Sequence, residues 1–176
     1  MLPVFSDIAA LFICWLMLGA GRHKLRPRYR PYYRELIAGY GLRSEALIRC
    51  AVPVLGAVEC LLGLLILHPS TRSPCALGAG VLLLGYALLM AYALFQGKHD
   101  LNCGCGGPAS EVKVSPWLIA RNTALVTPAM FALLPGAGVW SAQGVVALPA
   151  ALLGIVIYLC FEQWLGNQHK LESLRR

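Results

Sequence analysis

The run Asn102-Cys103-Gly104-Cys105-Gly106-Gly107-Pro108 places two thiols one residue apart in a glycine-rich polar stretch. Two cysteines so placed can close on each other. A disulfide wants its Cα atoms roughly 4.4 to 6.8 Å apart, and an extended i, i+2 pair sits at or beyond the upper end of that range. The chain must therefore turn, which Gly104 and Gly106 permit. A ring this small stores strain, and strained disulfides exchange readily. Cys103 and Cys105 accordingly read as a redox pair suited to transfer. His99, Lys98 and Lys113 are the neighbouring groups whose charge would favour a thiolate, were the fold to bring them close. Two other readings stand beside this one. His99, Asp100, Cys103 and Cys105 offer nitrogen, oxygen and sulfur to a metal, but a closed zinc site usually draws two ligand pairs from separated segments. No second His or Cys pair is evident, so no metal ligand set is assigned. The third reading is a purely structural turn.

The remaining chemistry is intramembrane. Glu59 lies in the middle of one apolar segment, Arg121 and Asn122 near the start of another, and Lys24 just beyond the first. An isolated charge at the centre of a membrane helix costs about 2.5 to 3.5 kcal/mol even on lenient insertion scales, so partners are expected. Glu59 with Lys24 or with Arg121 is the candidate pair; a protonated, hydrogen-bonded Glu59 is the alternative. Of the seven cysteines, Cys14, Cys50, Cys60, Cys75 and Cys160 fall within or at the ends of apolar segments. An odd count so distributed is not the framework of a small secreted scaffold.

These residues must be held by membrane helices. The chain has 176 residues, of which 58% are hydrophobic and only 13% charged, against roughly 25% charged in a soluble domain. A span takes about 20 mostly apolar residues. Five stretches approach or meet that length, at about residues 3–21, 50–67, 74–95, 116–134 and 145–165. The expected architecture is a single all-α domain over residues 1–176, a polytopic transmembrane bundle of four to five spans. Positive charges follow the first span instead of preceding it, so it reads as a retained span, not a signal peptide. Beyond it, Tyr29, Tyr32, Tyr33, Leu36, Ile37 and Tyr40 recur at the spacing of one helical face, with arginines on the other. That pattern predicts an amphipathic helix lying in the membrane interface.

Net charge is +7, and Arg22, Lys24, Arg26, Arg28, Arg30, Arg34, Arg43 and Arg49 make eight of the fifteen Lys and Arg. Such a cluster beside a span suits anionic headgroups, and no nucleic-acid-binding module is recognisable. On five spans the loops after the first and third spans and the C-terminal tail carry nearly all the basic residues, while the other two loops carry only Arg72. The positive-inside rule then puts the N-terminus outside, and the segment from Gln96 to Ser115 and the tail in the cytoplasm.

Taken together, Gly19 to Leu25 closing the first span, the Tyr-rich segment through Tyr40, Glu59 before Gly63, Cys103-Gly104-Cys105-Gly106, and Ala120-Arg121-Asn122 resemble the methylamine utilisation protein MauE family, relatives of the DoxX-type small membrane proteins. The sequence departs from the pattern at Gly106, where many relatives carry an aromatic residue. The resemblance implies a multi-pass protein of the bacterial inner membrane that processes, transports or matures the β subunit of methylamine dehydrogenase. It further implies a thioredoxin-like partner of the MauD type, with a quinone as a candidate electron partner. Two other classes stay open: a non-enzymatic assembly or export scaffold, and a Cys/His metal-handling membrane protein. The charge asymmetry sets the cysteine segment on the cytoplasmic side, whereas the implied substrate is periplasmic. Electrons crossing the bilayer, access from outside, or the opposite orientation would each reconcile the two.

Overall fold

The computed structural model describes residues 2–41, 44–97, 114–138 and 141–174. Every regular element in them is helical: α1 (Leu2–Leu25), a 3-10 turn (Pro27–Tyr29), α2 (Arg30–Gly39), α3 (Glu45–Leu65), α4 (Arg72–Phe95), α5 (Pro116–Phe131) and α6 (Ala142–Leu174). Among the described residues α1, α3, α4 and residues 144–164 of α6 are long and apolar enough to cross a bilayer. At 16 residues, α5 spans only about 24 Å, short of the ~30 Å hydrocarbon core. It nevertheless runs through the bundle antiparallel to α4. Leu118 near its start packs with Met90 near the end of α4, and Ala129 near its end faces Gly80.

Local chemistry sets the helix limits. Arg26 is held in the extended region by the proline that follows it, which ends α1. The helix therefore continues through Arg22 and Lys24 to Leu25, beyond the apolar stretch that the sequence delimits. α3 begins at Glu45, ahead of its first apolar run, because Ser44 caps it by accepting from the Leu47 amide and Glu45 sits in the positive first turn. Pro116 starts α5 after an extended Ser115. Gly97, at φ 72°, closes α4 in the left-handed conformation. A tight turn joins α3 to α4, in which the Thr71 hydroxyl donates to the Leu65 carbonyl at 2.6 Å. α6 runs beyond its apolar stretch to Leu174.

With no hydrophobic drive between helices in lipid, close backbone packing must hold the bundle. α1 and α3 supply it. A Cβ at Gly21 would lie 2.6 Å from both the Gly56 carbonyl oxygen and Cys60 Sγ, and one at Gly63 would lie 3.1 Å from the Cys14 carbonyl. Gly78 serves the α3–α4 contact against Leu62, whereas Gly85 faces open space. Ala10, Ile13, Met17, Ala76, Ala79 and Ala129 fill the centre. The outer surface is apolar, with Leu61, Val81, Leu88, Val145 and Ile157 all more than half exposed. Lipid is the solvent such a surface requires.

The helix directions give the bundle two ends. At one lie the end of α1, α2, the start of α3, the end of α4 and the start of α5, with Arg22, Lys24, Arg26, Arg28, Arg30, Arg34 and Arg49. α6 runs beside α1 and α5, with Ala151 and Gly154 near Phe5 and Phe131, and reaches this same end, where Glu162 meets Arg121. The opposite end holds the start of α1, the α3–α4 turn and residues 132–138. The expected interfacial helix is α2, which tucks Tyr33 into the protein at the basic end.

Candidate functional site at the helix junctions

Lys24 sits in the last turn of α1. Helical side chains lean toward the N-terminus of their helix, so its stem points back into the bundle and away from the headgroups. The Gly21–Gly56 contact brings α3 close enough for Lys24 to reach Glu59. Lys24 Nζ donates to both carboxylate oxygens, at 2.7 and 2.8 Å. Tyr86 of α4 donates its hydroxyl to Glu59 Oε1. The ammonium also lies 5.3 Å from the centre of the Tyr86 ring and 5.8 Å from that of Tyr33 on α2, within cation–π range. One buried junction thus ties four helices, with Glu59 fully buried and Lys24 only 7% exposed.

Of the two bases the sequence offers to Glu59, Lys24 is the one that reaches it. Arg121 is engaged instead by Glu162 of α6, which also accepts from the Tyr158 hydroxyl at 3.0 Å. Tyr158 in turn meets Phe12 and Trp15 edge-on, at 5.8 Å each. Asn122 is buried and donates to the Leu118 carbonyl at 3.1 Å, with Met90 Sδ 3.9 Å away. Cys103, Cys105 and His99 lie outside the described residues, as do Lys98, Asp100 and Lys113.

A third ion pair, which sequence reasoning missed, sits at the opposite end. Asp7 of α1 and Arg72 of α4 meet at 2.7 Å, both buried. The contact is an ion pair without aligned hydrogen bonds to the Asp7 oxygens. Ser6 donates to the Leu134 carbonyl at 2.6 Å and accepts from Arg72 Nη1 at 3.5 Å. Gly136 lies directly on the guanidinium and carboxylate, leaving no room for a side chain. The available signal was an acid inside the first span matched by a single base in an otherwise uncharged loop. Tyr86 and Glu162 were also missed, since neither stands out by type or spacing.

The polar junction connects through packing to Val114. Tyr86 packs against the cluster of Met90, Val114 and Leu118, and Val114, the first described residue after the cysteine segment, is buried there. Gly97, the last described residue before it, closes α4 at the same end. What the arrangement does is therefore to anchor both flanks of residues 98–113, Gly97 and Val114, on a bundle whose interior charges are paired.

Residues 2–135 match the family described as "Methylamine utilisation protein MauE". The chain is 27% identical over 160 residues to the methylamine utilization protein MauE of Paracoccus denitrificans, covering 89% of this chain and 85% of that protein. No solved structure matches.

Proposed function

This chain belongs to the methylamine utilisation protein MauE family, and from that membership we propose that it serves maturation of the methylamine dehydrogenase β subunit by thiol–disulfide exchange at Cys103 and Cys105. Family membership itself gives the chain a role in methylamine utilisation, and its apolar helices make it a multi-pass membrane protein. In our reading it lies in the bacterial inner membrane, with a thioredoxin-like protein of the MauD type as its exchange partner. One thiolate of the pair attacks the partner's disulfide, releasing a partner thiolate and forming a mixed disulfide. The second cysteine then resolves that bond, so that two electrons pass between the proteins; the reverse sequence carries them back.

The reading is supported by how the cysteines divide. Cys14, Cys50, Cys60, Cys75 and Cys160 are all unpaired and all sit in helices. Cys103 and Cys105 are left as the two cysteines of a polar segment, flanked by Gly97 and Val114 at the basic end. Exchange requires an attacking thiolate with an open approach. At that end the helices are tied by the buried Lys24–Glu59 pair and the half-buried Arg121–Glu162 pair.

Trapping tests the proposal. A Cys105→Ser variant, and separately a Cys103→Ser variant, is co-expressed with the thioredoxin-like partner and acid-quenched. One of the two should accumulate a mixed disulfide that a reductant removes, and the double variant should give none. Absence of the adduct from both single variants, at normal abundance of both proteins, contradicts exchange. Labelling Cys103 and Cys105 with a membrane-impermeant maleimide from each side of the membrane identifies the face served.

A further inference from the structure

A groove of about 700 Å³ runs along the outer side of α1 where it meets α3, within the ~300–1,000 Å³ range of ligand sites. Its apolar stretch is formed by Trp15, Leu18 and Leu64, its floor opens at Gly19, and Arg22 and Arg26 stand at its end. From Trp15 to Arg26 the helix rises about 16 Å, close to the depth of one ~15 Å leaflet. The groove therefore has the length of a leaflet, an apolar stem, and cations only at the headgroup level.

The two arginines are exposed and have no ion-pair partner among the described residues. Of the described acids, Glu59 holds Lys24, Asp7 holds Arg72, Glu162 holds Arg121 and Glu45 holds Arg49, while Glu35 on α2 does not line the groove. Lys24, on the same turn, is buried and already neutralised, so it adds nothing to the mouth of the groove. An occupant that fits must bring a negative group to the interface and an acyl-like stem to the apolar wall.

We propose that the α1–α3 groove is a binding site for one anionic phospholipid of the leaflet at the basic end, its phosphate held by Arg22 and Arg26 and an acyl chain laid over Gly19 toward Trp15. A neutral quinone would use the apolar wall but leave both guanidinium groups without a counter-charge. Gly19 gives the site its test, because a Cβ there meets nothing within 4 Å. A larger side chain there starts from open space at the groove, and in a helix it replaces a residue of poor propensity.

The experiment is native mass spectrometry of the full chain, purified in detergent and titrated with phosphatidylglycerol, phosphatidylcholine or a short-chain ubiquinone. Wild type should bind one phosphatidylglycerol in preference to phosphatidylcholine. Arg22→Gln with Arg26→Gln should weaken that binding about 30-fold, from two interfacial charges. Gly19→Leu should weaken it with both charges in place and with helicity and thermal midpoint unchanged. Equal binding of the two phospholipids, displacement by equimolar ubiquinone, or a Gly19→Leu variant that binds as wild type would each overturn the assignment.

Discussion

Removing one member of the Lys24–Glu59 pair should cost more than removing both. Glu59→Gln keeps an acceptor for the Tyr86 hydroxyl and most of the side-chain volume, so it deletes chiefly the negative charge. What remains is a buried ammonium that had given two hydrogen bonds to the carboxylate. Breaking a buried pair in this way costs about 3 to 5 kcal/mol. The two ring faces at 5.3 and 5.8 Å return only about 0.5 to 2 kcal/mol, and they contribute in the wild type as well. Lys24→Met leaves the complementary orphan, a carboxylate with zero exposure, at a similar cost. In the double variant both charges are gone, and uncharged replacement of a buried pair is often close to neutral. The coupling should therefore be at least about 3 kcal/mol, at or above the top of the range for contacting residues. Reversible denaturant unfolding in micelles, followed by circular dichroism, measures all four corners of the cycle. A double variant whose loss equals the sum of the single losses within about 0.5 kcal/mol would falsify the coupling.

Further outcomes follow from the packing and the charge distribution. Gly21→Ala should destabilise by about 1 to 3 kcal/mol, since the new methyl meets the Gly56 carbonyl oxygen at 2.6 Å. Gly85→Ala, which meets nothing within 4 Å, should be neutral or stabilise by up to about 1 kcal/mol; the same unfolding assay checks both, and equal effects would contradict the α1–α3 contact. Gly136→Ala should loosen the Asp7–Arg72 pair, read as faster amide exchange at the start of α4, and exchange unchanged from wild type would contradict that contact. A C-terminal reporter should read cytoplasmic, because five passages separate the tail from an outward N-terminus and the tail sits at the basic end; a periplasmic reading would remove α5 from the crossings.

The fold was legible because a bilayer imposes coarse constraints: apolar length, basic flanks and a break at proline are visible without coordinates. Glu59 was legible for the same reason, as a charge too costly to stand alone at its depth. Which base answers it was not. Lys24 and Arg121 are both cations near the ends of spans, and the choice is made by the backward lean of side chains on α1 and by the Gly21–Gly56 approach. Asp7 and Glu162 lie toward the ends of long apolar runs, where an acid reads as a boundary residue. Only the tertiary meeting of α1 with α4, and of α5 with α6, turns them into ion-pair partners, Asp7 buried and Glu162 half-buried. Tyr86 has no local pattern, and its role exists only because α3 presents Glu59 to it.

The central claim is that Cys103 and Cys105 act together in exchange, and growth on methylamine tests it most directly. A strain lacking the protein is complemented with the Cys103→Ser, Cys105→Ser double variant, with abundance in the membrane matched to wild type. The account predicts normal abundance, no matured methylamine dehydrogenase β subunit and no growth on methylamine. Full growth at matched abundance would contradict it and leave an assembly role without thiol chemistry.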